Sequence, residues 1–160
     1  MAKFKYKMQN ILDIKLKLED SAKNEFAQAA ARVLEEEAKL QAIINRKREY
    51  EEEGSKLRKA KLRVMDIKNN TEALHILQLQ IEEQEGVVEL ERAKQEKARI
   101  KLQIAMQERK TQEKLYENAF EEFKREINAQ EGREVDELVS YTYGKKQTAD
   151  KTVVSEAENG

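Results

Sequence analysis

The sequence predicts an all-α protein, built as a long two-helix antiparallel coiled-coil hairpin with a disordered C-terminal tail. Charged residues make up 39% of the 160 residues, and the chain contains no proline and no cysteine. This composition is typical of long helices, because proline removes a backbone donor and clashes inside a helix. A seven-residue apolar repeat and a single early break in the pattern complete the prediction.

The repeat runs without a slip from residue 57 to residue 127. One row is apolar except at two positions and comprises Ala60, Ile67, Leu74, Ile81, Val88, Gln95, Leu102, Arg109, Tyr116 and Phe123. Its partner row is polar through the middle and comprises Leu57, Val64, Thr71, Gln78, Glu85, Arg92, Arg99, Met106, Glu113, Phe120 and Ile127. A sustained heptad indicates a helix that packs along another helix. We therefore expect a seam that holds firmly at its ends and weakly at its centre.

Two positions are candidates for the turn between the arms. Gly54-Ser55 combines a residue that tolerates the left-handed conformation with a good N-cap, and Asn69-Asn70-Thr71 offers a later cap. Because the heptad continues through residue 70, the sequence favours the earlier turn. The prediction is a coiled-coil domain over 1–140, with a first arm at about 3–53, a turn region at about 54–63 and a second arm at about 64–138.

Residues 141–160 lose the heptad pattern and are mostly polar or small, so we expect a flexible tail there.

The sequence offers little for catalysis. His75 is the single histidine, cysteine is absent, and the five glycines are scattered, so neither a metal site, a catalytic triad nor a phosphate loop is indicated. We expect no enzyme activity, no cofactor and no small-molecule substrate. The 31 basic and 32 acidic residues are mixed, with a net charge of −1, which argues against nucleic acid as a partner. Without a signal or membrane-spanning segment, an intracellular, soluble protein is expected.

Two apolar groups exceed what a two-helix seam needs. Ile76, Leu77 and Leu79 point in several directions, so they are either covered by the first arm or form a docking patch for another protein. Tyr116, Phe120, Phe123 and Ile127 form the second group. With an early turn these four would lie on an uncovered overhang, and with a late turn they would pack on Phe4, Met8 and Ile11. The alternating Lys3-Phe4-Lys5-Tyr6-Lys7 is interpreted as a helix start with snorkelling lysines.

Both ends of the chain resemble one family. The opening Phe4-Lys5-Tyr6-Lys7-Met8-Gln9-Asn10-Ile11-Leu12-Asp13-Ile14-Lys15 is similar to the start of the flagellar export protein FliJ. Val64-x-Asp66-Ile67-Lys68 resembles the start of that family's second arm, and Phe120-Glu121-Glu122-Phe123 followed by Arg133 to Leu138 resembles its end. The resemblance covers residues 1 to about 140.

This resemblance implies a non-enzymatic stalk or adaptor of the flagellar type III export apparatus, needed for motility. The partners it implies are the hexameric export ATPase, the cytosolic domain of the export gate and export chaperones. The implied location is cytoplasmic, peripheral on the inner face of the cell membrane at the flagellar base, and the hairpin by itself is expected to be monomeric. Residues expected to contact a partner near the turn are Ile43, Tyr50, Ile76, Leu77 and Leu79. Those expected to contact the ATPase ring are Phe4, Tyr6, Met8, Tyr116, Phe120, Phe123 and Ile127.

Within the turn region of the family, Ile43, Tyr50 and Leu77 match the apolar or aromatic character of the gate-facing patch, whereas Arg46, Ala73 and Gln80 depart from it. The alternatives are a counterpart in a virulence type III secretion system, a structural homodimeric coiled coil, a jaw-like helical chaperone and a nucleic-acid spacer.

Overall fold

The computed structural model describes residues 2–60 and 63–158, with side chains at 2–60 and 63–148. Helix α1 spans Gln9–Lys59 and helix α2 spans Val64–Glu158, and the described residues contain no β-strand. The prediction of an all-α helical hairpin is confirmed.

Helix α1 ends at Lys59 and helix α2 begins at Val64, so the connection between them lies in the region where the turn was expected; residues 61 and 62 lie outside the described residues. The alternative turn near residue 70 is wrong, because Asn69-Asn70-Thr71 lies inside α2. Helix α1 ends with Lys56, Arg58 and Lys59 in its last turn, where positive charge complements the partial negative charge of the helix end. Helix α1 also begins later than expected, at Gln9, so residues 2–8 are not helical.

Helix α2 continues through Glu158, twenty residues beyond 138, where the second arm was expected to end. The side chains at 128–148 are all exposed. A proline-free segment keeps its helix propensity after the apolar repeat has stopped, so the end of the repeat does not have to end the helix. The flexibility of 141–160 stays a prediction.

The contacts divide the chain into two units, which are described separately. The hairpin unit comprises Leu12–Lys110, and the terminal unit comprises Met1–Ile11 with Thr111–Gly160.

In the hairpin unit, α2 buries two inner rows of residues against α1. The first is the predicted row that includes Ile67, Leu74, Ile81 and Val88. The second row lies three residues after the first, not four as expected, and comprises Asn70, Leu77, Gln84, Glu91, Ala98 and Ala105. Of the partner row that the sequence predicted, the exposed members in this unit include Val64, Thr71, Glu85, Arg92 and Arg99. Both candidate rows mix polar and small residues, so counting apolar positions does not separate them.

The most deeply buried apolar residues on the α1 side of this unit are mainly small. They are Leu12, Ala22, Ala29 and Val33, whereas Phe26, Leu40, Ile43 and Ile44 are half-buried. Short side chains let two helix backbones approach closely, at the low end of the usual 8–10 Å between helix axes. The core is therefore a thin seam.

Gly54 is buried inside α1 and does not form the turn. A Cβ atom at this position would lie 2.3 Å from the Oδ1 atom of Asn70. Asn70 itself is 7% exposed, and its Nδ2 donates a hydrogen bond of 2.9 Å to the carbonyl oxygen of Tyr50. The glycine thus gives room for a buried amide of α2 that binds the backbone of α1.

We predict that Gly54→Ala lowers the free energy of unfolding by about 1–2 kcal/mol, because Asn70 must leave its hydrogen bond or α2 must move away. Equilibrium urea unfolding measures this. Gly132→Ala is the matched control, since nothing lies within 4 Å of its Cβ position, and it should stabilise the helix by about 0.5–1 kcal/mol. Equal effects of the two substitutions would contradict the role of Gly54.

Candidate docking surfaces

An aromatic clasp forms the core of the terminal unit. It consists of Phe4 and Tyr6 from the N-terminal segment and of Tyr116, Phe120 and Phe123 from α2. The Phe4 ring centroid lies 5.5 Å from that of Tyr116, 5.3 Å from that of Phe120 and 5.2 Å from that of Phe123. Tyr6 contacts Tyr116 edge to face at 5.3 Å. Edge-to-face ring pairs of this kind stabilise beyond the area they bury.

The early turn therefore does not leave these aromatic residues on an overhang, as we had expected. Residues 2–6 are not helical, and residues 7 and 8 form a turn that leads into α1. A non-helical chain can span up to about 3.3 Å per residue, compared with about 1.5 Å in a helix. A short non-helical segment can thus reach α2 residues that a helical arm of the same length would miss.

Lysine and aromatic residues alternate over residues 3–7, and this alternation argues against a helix there. In an extended chain successive side chains point to opposite sides. Phe4 and Tyr6 are half-buried, whereas Lys3, Lys5 and Lys7 are exposed. The period of two indicates an extended segment with one aromatic face, and the interpretation as a helix start was wrong.

A groove of about 490 Å³ runs beside the clasp. The apolar and aromatic residues that line it are Phe4, Tyr6, Met8, Ala119 and Phe123. Its charged lining residues are Lys5 and Lys7 from the N-terminal segment and Glu122 and Glu126 from α2. A groove lined by apolar side chains and by charges of both signs can receive an apolar side chain of another protein and orient its charges.

Of the residues expected to contact the ATPase ring, six thus lie in the clasp or line its groove. Ile127 is half-buried on α2, one turn after Phe123. Met8 is 42% exposed and is the most accessible apolar member of the set.

The residues expected to contact a partner near the turn do not form one surface. Leu77 is 5% exposed and belongs to the second inner row, so α1 already covers it. Ile76 and Leu79 remain in solvent, at 55% and 53% exposure. Ile43 and Tyr50 are half-buried on α1.

Two grooves lie near Asn70. One, of about 380 Å³, is lined by Glu51, Gly54, Ser55, Arg58, Lys59, Asn70 and Leu74. The other, of about 510 Å³, is lined by Tyr50, Glu53, Leu57, Asp66, Asn69, Asn70 and Ala73. Tyr50 is the one residue of the predicted turn set that lines either of them.

Glu19 of α1 and Arg109 of α2 form a buried ion pair, which the sequence analysis did not foresee. Glu19 is 4% exposed, and the Nε atom of Arg109 donates a hydrogen bond to its Oε2. Lys23 lies 3.3 Å from the Oε1 atom. Burial favours the protonated carboxyl, but the hydrogen bonds and charges of Arg109 and Lys23 outweigh it and lower the pKa of Glu19 below its ordinary 4.5.

Other pairs between the helices of the hairpin unit are exposed. Arg92 contacts Glu37 at 2.8 Å and Lys101 contacts Glu25 at 2.9 Å. Exposed pairs contribute little to stability, but they agree with the register that the buried pair sets.

The described part of the chain holds no group of His, Asp or Glu that could bind a metal ion. None of its helices contains an apolar stretch long enough to cross a membrane. His75, the single histidine, is exposed on α2.

The helices and their seam define a coiled-coil hairpin protein with exposed apolar and charged grooves. The chain belongs to the FliJ family: the family model described as "Flagellar FliJ protein" matches residues 4–148. This family consists of non-enzymatic flagellar proteins, so membership implies a role related to flagellar export. No curated protein and no solved structure matched the chain.

We predict that Phe4→Ala releases the N-terminal segment, because the side chain loses its three ring contacts. The local cost should be about 1–3 kcal/mol, below that of a fully buried phenylalanine. Amide hydrogen exchange of residues 2–8 should accelerate, while the urea midpoint of the whole chain changes little. Tyr143→Ala is the control, since Tyr143 is 67% exposed and has no ring partner among the described residues. Unchanged exchange in Phe4→Ala would refute the clasp.

We predict that Glu19→Gln lowers the free energy of unfolding by about 2 kcal/mol at neutral pH, since Arg109 loses its charged partner. A carboxyl whose pKa is lowered by folding stabilises the fold above its unfolded pKa, and this contribution is lost as the pH falls through the folded pKa. The difference between wild type and Glu19→Gln should therefore shrink below about pH 4.5.

Urea unfolding at several pH values measures this difference. Glu25→Gln removes an exposed pair and should cost less than about 1 kcal/mol. A difference for Glu19→Gln that stays constant with pH would contradict the assignment.

Proposed function

We propose that the protein is a non-enzymatic stalk and adaptor of the flagellar type III export apparatus, and that it associates with the hexameric export ATPase, the export gate and export chaperones. The observation that carries the proposal is the family match over residues 4–148, which includes both helices. The matched family is described as flagellar, which favours a flagellar apparatus over a virulence secretion system.

The clasp is the surface proposed to meet the ATPase ring. It fixes an extended basic segment against α2 and leaves a charged groove with Met8 at its edge. A preformed surface loses less conformational freedom on binding than a free segment does. By binding one conformation of the ring better than another, it would shift the ring towards that conformation without chemistry of its own.

The turn end of the hairpin unit is proposed to meet the gate and the chaperones. Ile43, Tyr50, Ile76 and Leu79 are at least partly accessible there, whereas Leu77 supports the surface from inside. Contact with the gate would place the protein in the cytoplasm, at the inner face of the membrane.

The test is ATP hydrolysis by the purified export ATPase, titrated with wild type and variants. Met8→Glu puts a charge on the groove without removing a ring of the clasp, and Phe120→Ala/Phe123→Ala dismantles the clasp. We expect both variants to need at least about fivefold more protein for half-maximal stimulation, because the ring loses its apolar contact.

Leu34→Glu is the control, because Leu34 is 67% exposed on α1 in the hairpin unit. It should stimulate the ATPase as the wild type does. Circular dichroism would verify that each variant remains helical. Stimulation by Met8→Glu equal to that of wild type would remove the clasp groove from the mechanism.

A further inference from the structure

The outer side of α2 carries a second apolar seam that α1 does not cover. Its large members are Ile76, Leu79, Leu90, Ile100 and Ile104, all within the hairpin unit and between 45% and 57% exposed. Together with Glu83, Gly86, Ala93 and Lys97, they occupy nine positions at alternating steps of three and four residues, as the inner rows do. At 100° per residue this outer stripe lies about 160° around the helix from the inner rows, so α1 and the stripe occupy nearly opposite sides.

The spacing of the stripe is that of a coiled-coil seam and covers about 42 Å at 1.5 Å per residue. An isolated exposed leucine needs no explanation, but a regular apolar row of this length indicates a surface for another helix. It is distinct from the clasp and from the inner rows.

Gly86 and Ala93 occupy stripe positions on either side of Leu90. A Cβ atom at Gly86 would meet nothing within 4 Å, so packing inside the chain does not require a glycine. Glycine in a helix interior is costly relative to alanine. Small residues at the centre of a seam allow a neighbouring helix to approach closely, and this accounts for a glycine at position 86.

The two remaining stripe positions carry opposite charges, Glu83 and Lys97. Neither has a hydrogen-bond or ion-pair partner among the described residues, and both are exposed. Glu83 lies seven residues before Leu90, and Lys97 lies seven residues after it.

The stripe is therefore self-complementary when it is reversed about Leu90. In an antiparallel pair of identical helices, Ile76 meets Ile104, Glu83 meets Lys97 and Leu90 meets its own copy. Leu79 and Ile100, like Gly86 and Ala93, fall within one residue of facing each other, an offset of about 1.5 Å. A two-fold interface requires a surface that matches itself in this way.

We propose that two copies of this chain associate through the outer stripe of α2, antiparallel and centred on Leu90. The interaction does not depend on the proposed function, and it covers Ile76 and Leu79, which also belong to the surface proposed to meet the gate. The expectation of a monomeric hairpin is the alternative that the oligomeric state tests.

The charges at the rim of the stripe favour a parallel pair, whereas the charges inside the seam favour an antiparallel pair. A parallel pair would bring Glu89 near Lys94 and Glu96 near Lys101 at its rim, but it would place Glu83 against Glu83 and Lys97 against Lys97 inside the seam. Exposed rim pairs contribute little, whereas like charges held together in a seam are costly. The antiparallel pair puts acidic residues side by side at its rim, where solvent screens them.

Sedimentation equilibrium tests the association with charge reversals. Wild type should form dimers, and Glu83→Lys or Lys97→Glu should each raise the dissociation constant at least about tenfold, because like charges then meet twice per dimer. The double variant Glu83→Lys/Lys97→Glu should restore the dimer, since each pair is again of opposite charge. Leu34→Glu, away from the stripe, should dimerise as the wild type does.

Single cysteines test the orientation, because the chain has none of its own. Under oxidising conditions Leu90→Cys should crosslink to its own copy, and Leu34→Cys should not. Glu83→Cys and Lys97→Cys should each stay uncrosslinked alone but crosslink when mixed, because position 83 lies about 21 Å along the axis from its own copy.

Three results would overturn the proposal. A monomer at millimolar concentration would show that two copies do not associate, and would leave the stripe to a helix of another protein. Crosslinking of Glu83→Cys with itself would show a parallel pair. A double charge variant that dimerises no better than the single variants would show that Glu83 and Lys97 do not meet.

Discussion

The packing of α2 on α1 depends on which of two neighbouring rows of α2 accompanies the row of Ile67, Leu74 and Ile81. The row three residues later is buried, so Asn70 and Leu77 face α1, whereas Thr71 and Glu85 face solvent. A step of one residue turns a helix by about 100°, which moves the whole contact face around α2. That choice buries Leu77 against α1, whereas Ile76, Leu79 and Leu90 lie on the far side of α2 with either row.

Much of the hairpin unit could be predicted from the sequence. The absence of proline and the heptad row through Ile81 and Val88 indicated two long packed helices, and the row that continued through residue 70 favoured an earlier turn. The choice of the second row could not be made, because alanines and polar side chains pack as well in a thin seam as larger apolar ones. Gly54 was misjudged for a related reason: a glycine that admits a buried Asn70 cannot be distinguished by sequence from one that ends a helix.

The terminal unit was harder to predict, although its residues were identified. Phe4, Tyr116 and Phe120 were selected as a set, but Phe4 contacts the other two from a segment that is not helical. Helical periodicity dominated the interpretation, so the alternation of lysine and aromatic residues was not considered as a period of two. A segment held by a few ring contacts opens locally at a lower free energy than a packed helix does. The surface proposed to bind the ATPase is thus held in place by a few ring contacts.

The buried pair of Glu19 and Arg109 has a mechanical consequence. If α2 slid along α1 by one heptad, Leu102 or Tyr116 would replace Arg109 opposite the carboxylate of Glu19. The carboxylate would then be buried without its partner, which costs about 3–5 kcal/mol. An apolar seam alone would resist such slippage weakly, because one layer of alanine or valine fits much as the next does. Within the hairpin unit the pair opposes sliding of one helix along the other. A force along the axis of one helix is therefore passed to the other helix without a change of register.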